Sequence, residues 1–180
     1  MMIKAFISLC CALVSIEGDR IAGAEEQDCV ESCKYGEQEG LGDHCYYWST
    51  ARKSWQNSEY YCKSMYGNLA AVTSLEIQNF LLRKVDKDDR DTWFWIGGSD
   101  KEQEGEWKWT DGNAWNWAHW ADQPHYQQPR GGVNYDCLQI YHHLYARNGW
   151  NDHRCDLKYP FICSWRICTG SNIAFSIEMR

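Results

Sequence analysis

The sequence predicts one secreted α+β domain that is cross-linked by disulfides. Three observations point to this class: two segments with helical spacing, several short apolar strands, and a set of cysteines that follows a leader-like segment. The chain has 180 residues, of which 44% are hydrophobic and 24% charged, as expected for one globular domain with a packed core. Its net charge of -7 comes without a basic block, so nucleic acid is not expected as a partner.

Residues 1–24 have the pattern of a signal peptide. Lys4 precedes an apolar run over 5–16, which is too short for a membrane span of roughly 20 residues. Ala22-Gly23-Ala24 supplies the small residues that signal peptidase accepts. We therefore expect a secreted chain that begins at Glu25 and has no transmembrane segment; a buried N-terminal helix is the alternative.

The cysteines predict disulfides rather than a zinc site. Removal of the leader takes away two of the ten cysteines, and the eight that remain are an even number in an oxidising compartment. None forms a C-x-x-C pair of the kind that binds zinc. The remaining cysteines are Cys29, Cys33, Cys45, Cys62, Cys137, Cys155, Cys163 and Cys168.

A first helix is predicted after Ser54, whose hydroxyl can cap it. Gly67 is expected to end this helix, because a left-handed residue is needed there. The inward stripe is predicted to consist of Trp55, Ser58 or Glu59, Cys62, Met65 and Tyr66.

A second helix is predicted after Thr73-Ser74-Leu75-Glu76, which has the S/T-x-x-E form of a capping box. Apolar residues then recur at 77, 80, 81 and 85, so a helix of about twelve residues is expected. The charge run over 86–91 is interpreted as a solvated loop.

Short apolar segments predict strands on both sides of a long irregular loop. The loop, 113–136, is rich in aromatic residues and lacks periodicity, which favours a binding loop over disorder. Residues 169–180 are expected to form a poorly ordered tail. The predicted strands are 46–48, 93–98, 106–109, 137–140 and 160–163.

Taken together, these residues resemble the C-type lectin-like domain family over about 33–168. The matching segments are Cys45-Tyr46, Trp55 to Cys62, Gly67-Asn68-Leu69-Ala70, Trp95-Ile96-Gly97, Trp107-Lys108-Trp109-Thr110-Asp111-Gly112 and Trp150-Asn151-Asp152, with Cys137, Cys155 and Cys163. The resemblance implies two helices that flank small antiparallel sheets and a long binding loop.

The resemblance also implies three disulfides, Cys62–Cys163, Cys137–Cys155 and Cys33–Cys45, the last of which marks the long form of the domain. Cys29 and Cys168 are left over. The ends of this fold lie close together, which favours an intrachain pair, and a covalent dimer through Cys29 or Cys168 is the rival.

The resemblance also implies the calcium site of the family. Calcium takes about six to eight oxygen ligands, which the family supplies from an E-P-N or Q-P-D triplet, an acid near a conserved cysteine, and W-N-D. Asn151 and Asp152 match W-N-D, and Gln123-Pro124 resembles the start of the galactose-type triplet. His125 and Tyr135 stand where two acidic ligands are expected, which weakens the predicted site.

A second register of the triplet is Gln128-Pro129-Arg130, which fits the spacing to Gly131-Gly132 better. In this register Arg130 would place a positive charge against the cation. Both registers stay open at this point.

An auxiliary calcium is implied by Asp100 and Glu104, with Asp136 nearby; Asp122 is a further candidate ligand. The alternative for Asp100 and Glu104 is a pair of surface charges in a turn. The predicted metal ligands are therefore Gln123, Asn151, Asp152, Asp100, Glu104 and Asp136.

The aromatic residues of the long loop are expected either to stack on a sugar or to pack against the core. The predicted carbohydrate-binding set is Gln123, His125, Trp120, Tyr126, Asn151 and Asp152.

The resemblance thus implies a secreted lectin for glycans or glycoproteins that is calcium-assisted and prefers galactose. The alternative is a calcium-independent scaffold for a protein or another non-sugar surface, including ice. No G-x-S-x-G, phosphate-binding glycine loop or H-E-x-x-H occurs, so an enzyme is not expected.

Overall fold

The computed structural model describes residues 29–30, 32–33, 38–85, 93–121, 128–132, 134–141 and 149–168. The predicted signal peptide, the charge run after the second helix and the C-terminal tail lie outside these residues. No helix in the described ranges is long and apolar enough to span a bilayer.

Within the described ranges the chain forms two helices and nine strands. The helices are α1 (Trp55–Ser64) and α2 (Leu75–Val85). The strands are β1 (Cys29–Val30), β2 (Gln38–Leu41), β3 (His44–Lys53), β4 (Asn68–Leu69), β5 (Phe94–Ser99), β6 (Lys108–Trp109), β7 (Cys137–Tyr141), β8 (Gly149–His153) and β9 (Tyr159–Ile167).

The strands join into one mixed sheet with the order β2-β3-β9-β5-β7-β8. β9 pairs with β3 along most of its length in the antiparallel sense, and it meets β5 in one parallel pair, Trp95 with Phe161. The small sheets implied by the resemblance are therefore connected through β9. This arrangement, with its two helices, confirms the predicted α+β fold.

Helix α1 begins as predicted and ends differently. Ser54 accepts a hydrogen bond from the Asn57 amide at its start. At its end the residue with positive φ is Tyr66, at 62°, and not Gly67. The Tyr66 and Gly67 amides donate to the carbonyls of Lys63 and Cys62, which is a Schellman cap with tyrosine in the left-handed position. Tyr66 is 75% exposed and so does not belong to the inward stripe.

Gly67 is required for a different reason, which is close packing. A Cβ at this position would lie 2.5 Å from the backbone oxygen of Ser164 in β9. The glycine therefore lets the end of α1 approach the central strand.

Helix α2 spans eleven residues and is capped by Ser74 rather than by Thr73. The Ser74 hydroxyl accepts from the Ile77 amide at 3.3 Å, and its carbonyl accepts from the Gln78 amide. The helix thus begins one residue later than predicted, and Ile77 rather than Glu76 stands three residues after the cap, so the predicted capping box does not form. Phe80, Leu81 and Val85 are buried in the core, as their spacing predicted.

The three implied disulfides are present: Cys33–Cys45, Cys62–Cys163 and Cys137–Cys155. Cys168 is also disulfide-bonded within this chain, so a covalent dimer through it is not supported. The backbone of Cys29 pairs in β1 with Arg166, two residues before Cys168.

Candidate functional site

The site is built on β8, which carries the W-N-D segment. Asn151 lies opposite Gln139 of β7, and Asp152 lies opposite Leu138. Because the two residues are neighbours on one strand, their side chains point to opposite faces of the sheet. Both are buried, with 5% and 0% exposure. The sheet register therefore fixes where each of these polar side chains can act.

The long loop is attached to β8 by backbone hydrogen bonds. The Trp150 amide donates to the His119 carbonyl at 2.7 Å, and the Ala121 amide donates to the Trp150 carbonyl at 2.9 Å. Gly149 permits this approach, because a Cβ there would lie 2.6 Å from the Ala121 nitrogen. The loop thus runs along the strand on which the site is built.

A second loop segment is held against both residues of W-N-D. The Gln128 amide Nε2 donates to Asn151 Oδ1 at 2.6 Å, and the Gly131 amide donates to Asp152 Oδ2 at 2.8 Å. The Gln128–Pro129 peptide bond is cis. The described residues thus bring the second register of the triplet, Gln128-Pro129-Arg130, against Asn151 and Asp152.

The site residues predicted from the other register cannot be placed. Gln123, His125 and Tyr126 lie outside the described residues, as does Asp122, so their roles stay predictions. The signal that favours Gln128 was already in the sequence, namely the spacing of Gln128-Pro129 to the following glycine pair.

A cavity of about 180 Å³ adjoins this junction. Asn151 belongs to its lining together with Arg130 and His153, and Trp93 and Tyr159 supply aromatic surface. Trp93 and Tyr159 were not predicted from the sequence, because only the pairing of β5 with β7 and β9 brings distant aromatic residues to this face.

The aromatic residues of the cavity are fixed by their neighbours. Trp93 stacks on Tyr141 with ring centroids 3.9 Å apart, and Tyr159 meets Trp95 edge-on at 5.2 Å. The cavity is therefore bounded by rings that are already packed on one side.

His153 is a hydrogen-bond donor in this cavity. Burial, followed by the positive charge of Arg130, lowers the pKa of His153, which keeps the ring neutral at neutral pH. Its Nδ1 accepts from the Arg154 amide at 2.7 Å. The proton of the neutral ring is therefore on Nε2.

Three carboxylates lie near one another: Asp100 and Glu104 belong to the turn after β5, and Asp136, whose carbonyl accepts from the Asp100 amide, directly precedes β7. Asp100 Oδ2 accepts from the Gly105 amide, and Glu104 Oε1 accepts from the Gly132 amide. Burial, with repulsion from Glu104 and Asp136, raises the pKa of Asp100; burial and Glu104 raise the pKa of Asp136. Asp100 is 4% exposed, which contradicts the alternative that it is a surface charge, whereas Glu104 is exposed, as that alternative expects.

The family model described as "Lectin C-type domain" matches residues 51–165, which is more than half of the chain. The chain belongs to the C-type lectin family. This confirms the resemblance stated from the sequence, and this family consists of carbohydrate-binding rather than enzymatic domains.

The lectin domain is similar to several known proteins. It is 37% identical to mouse C-type lectin domain family 4 member F over 66% of this chain and 21% of that protein, so the chain spans about a fifth of that relative's length. It matches the cow C-type carbohydrate-recognition domain of CD23, in the presence of GlcNAc2Man3 oligosaccharide, with a TM-score of 0.63, 26% identity and coverage of 77% and 98%. It also matches a calcium-independent type II antifreeze protein with a TM-score of 0.62, 27% identity and coverage of 76% and 96%.

The tryptophans of the lectin domain's long loop pack inward. Trp115, Trp117 and Trp120 are partly buried against the core, and all three contact the fully buried Trp150. Trp107 and Trp109 complete this cluster, which we call the tryptophan cluster: Trp107, Trp109, Trp115, Trp117, Trp120 and Trp150. Of the two roles expected for these aromatic residues, packing against the core is therefore the one that the tryptophans of the loop take.

C-type lectin domains commonly bind calcium, for which the oxygen donors of this domain are few. Gln128, Asn151 and Asp152 offer one formal negative charge, and Arg130 follows Pro129 directly. Asn151 Oδ1 and Asp152 Oδ2 already accept hydrogen bonds, whereas Gln128 Oε1 and Asp152 Oδ1 are buried without a hydrogen-bond partner. No group of three or more His, Cys, Asp or Glu side chains in the described ranges could hold a metal ion. Two unpartnered oxygens and one formal negative charge, next to Arg130, fall short of the roughly six to eight oxygen ligands that calcium takes, so these residues do not by themselves fit a calcium ion.

Proposed function

We propose that this chain is a lectin that binds carbohydrate in the cavity beside W-N-D. The observation that carries the proposal is the lining itself: Arg130, Asn151 and His153 present polar groups, and Trp93 and Tyr159 present rings. Sugar hydroxyls need polar partners, and the apolar face of a pyranose packs on aromatic surface.

The size of the cavity favours one monosaccharide. Sites for larger ligands are usually about 300–1,000 Å³, whereas this cavity is about 180 Å³. We therefore infer that the terminal sugar of a glycan enters the cavity and that the rest of a glycan or glycoprotein stays outside.

We infer that the sugar is bound directly and not through calcium. In the calcium-assisted alternative, Gln123, His125, Asn151 and Asp152 would surround an ion, and a preference for galactose would follow from Gln123-Pro124. That alternative needs residues outside the described ranges to supply the missing negative charge. Direct binding needs only the residues that line the cavity.

A glycan array tests the proposal, with the secreted chain probed in calcium and again in chelator. We expect binding to the same glycans in both conditions. An Asn151→Ala variant should lose binding, whereas Asn57→Ala, at an exposed position of α1, should keep it. Binding that disappears in chelator would overturn direct recognition, and the absence of any bound glycan would overturn the lectin proposal.

A second candidate function is a calcium-independent scaffold for a non-sugar surface. The similarity to a calcium-independent type II antifreeze protein favours it. An ice-growth assay on the same sample distinguishes the two: inhibited ice growth with no glycan bound supports the scaffold, and bound glycan with normal ice growth supports the lectin.

A further inference from the structure

A second cavity, of about 260 Å³, is separate from the cavity beside W-N-D, and none of the described residues lines both. It lies where the hairpin of β2 and β3 meets the first turn of α2 and the turn after β6. Each of these three elements contributes one carboxylate to the described lining, which contains no lysine or arginine: Asp43, Glu76 and Asp111. The second cavity is therefore acidic.

Two of these carboxylates are held in place by hydrogen bonds. Asp43 Oδ1 accepts from His44 Nδ1 at 2.8 Å, and the hydrogen bond with His44 lowers the pKa of Asp43, which keeps this group ionised at neutral pH. Asp111 Oδ1 and Oδ2 accept from the backbone and side-chain nitrogens of Asn113 at 3.0 Å and 2.7 Å. A carboxylate has about four acceptor positions, so both groups can accept further hydrogen bonds from a ligand.

The side chain of Tyr46 lines the same cavity and is buried, with 2% exposure. Its ring packs against Trp48 and Phe80, and within the described part of the chain its hydroxyl makes no hydrogen bond. Burial, followed by the negative charges of Asp43 and Asp111, raises the pKa of Tyr46, so the hydroxyl keeps its proton close to both carboxylates. Buried polar groups usually have a partner, and here the cavity leaves room for a ligand to provide one.

The positive groups around the second cavity do not outweigh its carboxylates. The amino end of α2 borders the cavity and by itself favours anions, but Glu76 stands in the first turn of this helix and offsets that partial charge. Arg166 acts on Asp43 from outside the described lining. Even with His44 charged, three carboxylates leave the lining negative, so the second cavity favours a cation.

The second cavity also has apolar surface, for which a bare metal ion has no use. Leu41 and Ile77 line it and are partly buried against the core. In the described ranges no group of three or more His, Cys, Asp or Glu side chains could hold a metal ion. A ligand with an aliphatic part and an ammonium group, which donates up to about three hydrogen bonds, matches this lining.

We propose that the second cavity binds an alkylammonium group, which donates hydrogen bonds to Tyr46, Asp43 and Asp111 and lays its aliphatic part on the adjacent apolar surface. This site shares no described residue with the proposed sugar site, so it does not depend on the lectin function. Two sources carry this chemistry, a free aliphatic amine and the lysine side chain of another protein, and the experiment distinguishes them.

NMR titration of the full chain tests the inference with ligands of matched shape. Pentylamine and pentanol have the same chain length and differ in charge, and Nα-acetyl-lysine methylamide presents the same ammonium group as part of a protein side chain. We expect pentylamine to bind about tenfold or more tightly than pentanol, as for charge-assisted hydrogen bonds. Binding of the lysine derivative as well would identify protein side chains as a source, and binding of pentylamine alone would identify free amines.

Asp43→Asn and Asp111→Asn should each weaken pentylamine binding by about fivefold and leave pentanol binding unchanged, because each removes one charge beside the ammonium group. Tyr46→Phe should also weaken pentylamine binding, because it removes only the hydroxyl. Asp156→Asn, which removes the same charge at an exposed position outside the cavity, should have no effect. If the cavity variants do not fold, the wild-type chain still gives a test: affinity for pentylamine should fall between about 50 mM and about 500 mM salt, and affinity for pentanol should not.

Three results would overturn the inference. The first is equal affinity for pentylamine and pentanol, and the second is a preference for the amine that survives both Asp43→Asn and Asp111→Asn. The third is displacement of pentylamine by an equal concentration of calcium or magnesium, which would indicate a metal site. The glycan array does not depend on this cavity, so each of these results would leave the lectin function standing.

Discussion

Gln128 and Asn151 are joined side chain to side chain at 2.6 Å, although 23 residues separate them. Both are buried, so the bond is shielded from water. It links the segment that carries Arg130 to the strand that carries W-N-D. The position of the cavity therefore depends on a contact between two neutral amides.

Gln128→Ala should destabilise the fold and weaken sugar binding. The substitution leaves the buried Asn151 oxygen without its donor, which costs about 1–3 kcal/mol. Urea unfolding measures the loss of stability, and titration with the best-bound glycan measures the affinity. Gln56→Ala, at an exposed position of α1, is the matched control and should change neither quantity. Equal stability for the two variants would contradict the structural role assigned to Gln128.

Glu59→Ala should destabilise the domain without touching the cavity. Glu59 is 2% exposed, and its Oε2 accepts from the Leu69 amide at 2.8 Å. Loss of this acceptor leaves a buried amide unsatisfied, at a cost of about 1–3 kcal/mol. Glu59→Gln keeps a carbonyl oxygen and should recover part of the loss in thermal unfolding. A glutamine variant no more stable than the alanine variant would argue against the Leu69 contact.

Tyr66→Gly should stabilise the chain. Tyr66 has φ of 62°, a region that costs a residue with a Cβ about 1 kcal/mol and costs glycine little. Its side chain is 75% exposed, so little packing is lost. Tyr66→Ala removes the same ring but keeps the Cβ, and it should show no such gain. A rise in the melting temperature for both variants would assign the effect to the ring instead of the backbone.

Two disulfides that close loops of very different length should differ in their contribution to stability. Cys62–Cys163 closes a separation of 101 residues and Cys33–Cys45 one of 12. The chain-entropy model assigns about 4.7 kcal/mol to a loop of roughly 100 residues and about 3 to one of roughly 15. Replacing both cysteines of the longer loop by alanine should therefore lower the free energy of unfolding by about 1–2 kcal/mol more. Equal losses in urea unfolding would show that loop length does not determine how much these two disulfides contribute.

Calcium should not change the thermal stability of the chain. A ligand that binds only the folded state at about 100 times its Kd adds about 2.7 kcal/mol, which a melting curve resolves readily. We expect superimposable melts in calcium and in chelator. A higher melting temperature in calcium would show that residues outside the described ranges, such as Gln123 or Asp122, complete a metal site.

The sequence predicts the scaffold well because its signals are local or are fixed by covalent chemistry. The capping hydroxyl of Ser54 marks the helix start, and the apolar run after Trp93 marks a buried strand. The cysteines mark the disulfides directly. The two corrections are local as well: Tyr66 takes the left-handed position because Gly67 is needed against β9, and Ser74 caps the second helix one residue later than the capping box suggests.

The candidate site is predicted less completely because it depends on tertiary contacts. Asn151 and Asp152 follow from a contiguous motif. From the sequence alone Arg130 is only an obstacle to a cation, and its place beside His153 emerges when two loops meet one strand. Trp93 directly precedes β5 and Tyr159 begins β9, so no periodicity along the chain could associate them with Asn151.

The tryptophan cluster gives this protein a built-in optical reporter. Six of the eleven indoles in the chain lie within ring contact of one another, and three of them belong to the long loop. Excitation energy passes readily among indoles at such separations, so emission from the group depends on how closely the loop is seated. Intrinsic fluorescence can therefore follow the attachment of the loop without any added label.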